Sequence, residues 1–207
     1  MVDFRFYLIG DRTLCGGHSL GMVLNQACGA GVRAIQIREK DLSTPDLLKL
    51  TREVQRETAE SQPLVMVNSN LDVALTCRTQ GIHIPEFGVP AQPLRDCLPV
   101  GTLIARSTHS LGKAQEAETE GVDFITFGPV YDTPSKAAYG PAKGLKALAE
   151  IVKEVTIPVF ALGGVNPERV SECLEAGAHG VAAISAILSK PDIPMAVEEF
   201  ENSLGSL

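Results

Sequence analysis

Eight short apolar runs recur along the 207-residue chain, each followed by a longer stretch with helical periodicity. The runs are Phe4–Ile9, Ala34–Ile37, Leu64–Val67, Gly81–Ile84, Leu103–Ala105, Phe124–Phe127, Pro158–Ala161 and Gly180–Ile184. None alternates strictly between apolar and polar residues, the pattern of parallel strands covered on both faces. Helices are predicted at Leu20–Cys28, Thr44–Glu60, Leu71–Cys77, Leu111–Glu120, Leu145–Glu154, Pro167–Ala176 and Met195–Ser203, with a weaker signal at Gln92–Cys97. In the clearest, Ser43 or Thr44 suits the N-cap, Pro45 suits the first turn, and Leu47, Leu48 and Val54 form an apolar stripe.

Strand starts recur about every 25 residues, with no Pro/Gly/Ser-rich linker and no low-complexity segment. That repeat predicts an α/β fold, a single-domain (β/α)8 TIM barrel over residues 1–207. An open, doubly wound sheet is the runner-up. It would be supported by G-x-G-x-x-G after the first strand, but that segment reads Gly10-Asp11-Arg12-Thr13.

The net charge of −7 and the lack of any basic run speak against nucleic acid and against an anionic membrane as partners. The start, Met1-Val2-Asp3-Phe4-Arg5, has no charged region leading into an apolar one, and no apolar run is long enough to span a bilayer. Five cysteines with no C-x-x-C pair read as reduced thiols. Together these features predict a cytoplasmic protein. A homo-oligomer is left open.

In such a barrel the chemistry sits where strands end and loops begin. After the second strand comes Gln36-Ile37-Arg38-Glu39-Lys40, where alternation sends Gln36, Arg38 and Lys40 one way. Two cations and an amide suit a phosphate or pyrophosphate, unless Glu39 neutralises one of the cations. Asn68, Ser69 and Asn70 follow the third strand, as substrate contacts or as caps of the next helix. Ser107 and His109 follow the fifth and share a face if the strand continues. The longest loop, Gly128 to Lys143, carries Thr133, Ser135 and Lys136, two hydroxyls and an ammonium that can surround an anion. Gly163-Gly164 after strand seven and Ile184-Ser185 after strand eight occupy the habitual phosphate position of the fold.

In order and spacing these segments resemble the thiamine phosphate synthase superfamily, which also contains the thiazole tautomerase TenI. The resemblance covers nearly the whole chain. It rests on Tyr7-Leu8-Ile9, Gln36 to Lys40, Val67-Asn68, Ser107 to Ser110, Phe127 to Lys136, Gly163-Gly164-Val165 and Ala183 to Ile187. It implies a thiazole phosphate held at Gly163, Gly164, Ile184 and Ser185, with Thr133 and Ser135 against the thiazole. For the synthase it further implies an aminopyrimidine pyrophosphate held by Gln36, Arg38, Lys40, Asn68 and Lys136, with Mg²⁺, and Ser107 near the pyrimidine. The chain departs from the synthase pattern at two Mg²⁺ carboxylates, where Ser69 and Gly88 stand. It departs from the tautomerase pattern at Pro129, where a His is expected.

Three expectations follow. The first is a TenI-like thiazole tautomerase that needs no cofactor, with His109 as the leading proton-transfer group and Lys136 next. The alternative is a thiamine phosphate synthase, which would use Mg²⁺. The third is a non-catalytic protein that binds thiazole phosphate.

Overall fold

The computed structural model describes residues 2–133 and 141–205. Eight parallel strands close on themselves in sequence order, a single-domain (β/α)8 TIM barrel. They are β1 (Phe6–Gly10), β2 (Ala34–Ile37), β3 (Leu64–Asn68), β4 (Gly81–Ile84), β5 (Leu103–Thr108), β6 (Phe124–Phe127), β7 (Val159–Leu162) and β8 (Gly180–Ala183). Closure is made by β1 against β8, with Tyr7 opposite Ala182.

The helices are α1 (Leu20–Gly29), α2 (Thr44–Glu57), α3 (Leu71–Cys77), α4 (Ala91–Cys97), α5 (Leu111–Thr119), α6 (Gly144–Glu154), α7 (Val170–Glu175), α8 (Ser185–Leu188) and α9 (Ile193–Gly205). Ser43, not Thr44, caps α2, accepting from the Asp46 N–H at 3.3 Å. Leu47 and Val54 on its apolar stripe are buried against the sheet, as the helical spacing requires.

Two differences from the sequence reading have clear causes. The first strand begins at Phe6, because Phe4 leaves the ladder and turns into the base of the barrel. There its ring lies 5.9 Å from Tyr7, 5.6 Å from Phe124 and 5.2 Å from Phe160. The fifth strand runs on through Arg106-Ser107-Thr108. Arg106 points outward and is buried, held by both carboxylate oxygens of Glu120 at 2.9–3.0 Å and by the Val89 carbonyl at 2.8 Å. A polar triplet thus continues a strand whose apolar run has ended.

All five cysteines are free thiols; Cys15, Cys28 and Cys173 are core residues. Burial pushes the Cys28 thiol up to about 12 and the Cys173 thiol to about 11, far from reactive thiolates. Among the described residues no helix is long and apolar enough to cross a membrane.

Candidate functional site

Two cavities open at the C-terminal ends of the strands. The smaller, about 250 Å³, is walled by the β7 and β8 loops, including Gly163, Gly164, Ile184 and Ser185, with Thr133 at its edge. No side chain caps α8, and among the described residues no carbonyl accepts from the Ser185 or Ala186 N–H. These amides are donors in want of an acceptor, at a helix start where the backbone dipole favours an anion.

The two glycines earn their place by a different route from direct ligand approach. Both adopt positive φ, +95° at Gly163 and +66° at Gly164. A Cβ on Gly163 would stand 2.7 Å from Pro129, and one on Gly164 would stand 2.8 Å from the Asp132 carbonyl. The β6 loop therefore packs directly on this glycine pair. Arg169 secures the contact: it donates to the Gly164 carbonyl at 2.6 Å and lies 4.4 Å over the Tyr131 ring.

The larger cavity, about 550 Å³, is lined among others by Arg38, Lys40, Asn68, Ser69, Ser107 and His109. Glu39 neutralises neither neighbouring cation. Its carboxylate, raised by burial and lowered by Arg12, accepts from the Arg12 N–H at 2.7 Å and from its guanidinium at 2.5 Å. Arg12 also bridges to Asp41 and draws that carboxyl down to about 2. With both acidic neighbours committed to Arg12, no described residue accepts a hydrogen bond from the Arg38 or Lys40 side chain. Two cationic side chains thereby stay unpaired at the mouth of an acidic protein, beside the Glu39 and Glu86 carboxylates that also line the cavity.

Asn68 ends β3 and donates to Ser69 Oγ at 3.0 Å. Ser69 takes φ +60°, while Asn70 caps α3 by accepting from the Val73 N–H at 2.9 Å. His109 is held twice: its backbone N–H donates to Glu86 at 2.8 Å, and its Nδ1 lies 2.5 Å from the Gly128 carbonyl. A carbonyl can only accept, so Nδ1 carries a proton and Nε2 is left for other partners. Ser135 and Lys136 lie outside the described residues.

Gln36 is not at the mouth. Strand β2 ends at Ile37, so the alternation assumed for Gln36, Arg38 and Lys40 stops after its first member. Gln36 points into the barrel, buried, and donates to Tyr7 Oη at 2.9 Å. Beside it lies His83, which the sequence places at the end of the fourth strand without a role. His83 Nδ1 is 3.4 Å from Tyr7 Oη, and Nε2 is 2.9 Å from Ser107 Oγ. The available signal was a lone polar residue at an inward position of a buried strand, Gly81-Ile82-His83-Ile84.

The Mg²⁺ implied by the resemblance finds a reduced donor set. Among the described residues no three His, Cys, Asp or Glu side chains gather in a metal-holding group. Ser69 and Gly88 carry no charge, Glu86 is engaged by the His109 N–H, and Glu39 by Arg12. Among the described residues Glu86, with one oxygen taken by the His109 N–H, is the carboxylate of this cavity not held by an arginine, a single anchor for a hard divalent ion where the synthase pattern has two others.

Comparison with known proteins agrees with this architecture. Residues 6–187 match the family described as thiamine monophosphate synthase. A Geobacter sulfurreducens protein named "Putative thiamine-phosphate synthase" is 49% identical over 92% of this chain and 90% of its own. The thiamine-phosphate synthase of Clostridium novyi is 34% identical over 97% of this chain and 98% of its own. The solved thiamine phosphate pyrophosphorylase of Pyrococcus furiosus superposes with a TM-score of 0.86 at 31% identity, covering 97% of this chain and 95% of its own. On a family match that runs through all eight strands and into α8, and on relatives this similar along nearly their full lengths, the chain belongs to the thiamine monophosphate synthase family.

Proposed function

We propose that the protein is a transferase that makes thiamine phosphate, joining an aminopyrimidine pyrophosphate to a thiazole phosphate with release of pyrophosphate. The observation that carries this reading is the pairing of two unlike cavities at one mouth, a small amide-lined one and a large one bearing the unpaired Arg38 and Lys40. An isomerase acting on a thiazole phosphate alone has use for the first. A coupling enzyme needs both, and relatives named thiamine-phosphate synthase favour the same choice. The isomerase expected first from the sequence therefore becomes the second reading.

In the proposed reaction the thiazole phosphate ester rests on the amides near Gly164, Ser185 and Ala186, and Thr133 borders the ring. Arg38 and Lys40 receive the pyrophosphate, and Asn68 and Ser107 border the pyrimidine. One bond forms between the two heterocycles as the bond to pyrophosphate breaks, and the departing charge develops beside two cations with no competing acceptor.

The second reading, a thiazole tautomerase, is favoured by Ser69 and Gly88 at the metal positions. It is also favoured by His109, whose anchored Nδ1 leaves Nε2 for a proton transfer. A product assay on the purified protein separates the two, offering both substrate sets with and without Mg²⁺. Thiamine phosphate is expected. Aromatisation of a dihydrothiazole carboxylate phosphate with no thiamine phosphate at any Mg²⁺ concentration would reverse the order.

A further inference from the structure

Beneath the larger cavity a chain of buried polar groups climbs the barrel interior from Gln36 through Tyr7 and His83 to Ser107. Tyr7 is 0% exposed, Gln36 1% and His83 2%, whereas Ser107 is half-buried and lines the cavity. We propose that His83 is a positioning residue that fixes Ser107 as an obligate hydrogen-bond donor toward an acceptor atom of the ligand above it. The identity of that ligand, a heteroaromatic ring with a bare ring nitrogen, rests on the coupling reaction proposed above.

The direction of donation follows from counting protons. Gln36 Nε2 donates to Tyr7 Oη at 2.9 Å, so the single phenolic proton must go elsewhere. It has two neighbours, Met66 Sδ at 3.3 Å and His83 Nδ1 at 3.4 Å. A thioether is a weak acceptor and an imidazole nitrogen a strong one. Nδ1 therefore accepts, and a neutral imidazole must carry its proton on Nε2. That proton points at Ser107 Oγ, 2.9 Å away. Thr126 Oγ1, also buried, donates to the same oxygen at 3.4 Å. With both lone pairs of Ser107 engaged, its own hydroxyl proton is the part left to face the cavity.

Two further observations fit. Burial, and secondarily the Arg38 charge, pulls the His83 imidazole down to about 3, so the ring stays neutral. Burial pushes the Tyr7 phenol up, so its proton also stays in place. Ser107 so held has no lone pair with which to act as a base or nucleophile.

The test reads the histidine first and the ligand second. Nitrogen NMR of the ligand-free protein should show the His83 proton on Nε2, unchanged from pH 5 to pH 8. A proton on Nδ1, or titration in that range, overturns the proposal whatever the enzyme does. Calorimetry then measures the Kd of the aminopyrimidine pyrophosphate in a double-mutant cycle. His83→Leu and Ser107→Ala should each weaken binding about tenfold, and the double variant no more than either alone. His83→Gln, whose amide nitrogen can reach the Nε2 position, should recover most of the loss. Additive losses would overturn the proposal, because a merely structural His83 would add its cost to that of Ser107. A wild-type protein that neither binds nor turns over this ligand, with the Nε2–H form observed, would instead remove the coupling reaction and leave the histidine assignment standing.

Discussion

Gly164 lies so close under Tyr131 that a methyl group on its α-carbon would stand 2.8 Å from the Tyr131 Cβ. With φ at +66° as well, any side chain there strains the backbone and pushes the β6 loop away. Gly164→Ala should therefore cost roughly 2 kcal/mol or more of folding stability. Thermal and urea unfolding measure it. A variant as stable as wild type would mean that the loop yields freely, and a loss of thiazole phosphate affinity could then be read as a lost ligand contact.

His83 gives the fold a pH dependence of definite sign. Its folded value, about 3, lies below the 6.5 of a free imidazole, so the unfolded chain binds the proton more readily. Stability is full above about pH 6.5 and falls as pH drops toward 3, by about 1.4 kcal/mol per unit from this one group. Between pH 6.5 and 5 that amounts to roughly 2 kcal/mol. Urea unfolding at the two pH values should show the slope, and His83→Gln should remove it. An equal slope in that variant would assign the effect to other groups.

Arg38→Met and Lys40→Met should weaken the aminopyrimidine pyrophosphate by about tenfold or more each, while thiazole phosphate binding changes little. The cations line only the larger cavity. Raising the salt concentration should erode wild-type affinity for the pyrophosphate more than variant affinity. Equal losses for both ligands would show that the cavities do not divide the substrates in this way.

Inorganic phosphate at millimolar concentration should shift the amide resonances of Gly164, Ser185 and Ala186 and slow their hydrogen exchange. Amides elsewhere on the barrel serve as the control. Saturating phosphate with no response at these three positions would place the anion elsewhere.

The barrel was legible because parallel strands buried on both faces print continuous apolar runs, as Ala34–Ile37 and Phe124–Phe127 do. Phe4 prints the same signal while serving as a plug, since an apolar residue at a strand edge does not declare which way the chain turns. The loop positions around Gly164 and Ser185 were legible from the fold's habit of placing chemistry there. Glu39 was harder: its partner is Arg12, 27 residues away, and nothing local distinguishes that pairing from one with Arg38 or Lys40. Gln36 and His83 were missed as interior partners for the same reason. Polar groups inside a barrel are satisfied across strands, and a linear pattern records one strand at a time.

The rings of Phe4, Tyr7, Phe124 and Phe160 turn the barrel into a cup with a closed floor rather than an open tube. Both cavities therefore open on one side of the molecule, and the packed aromatic floor leaves the loop side as the way in and out for whatever binds there.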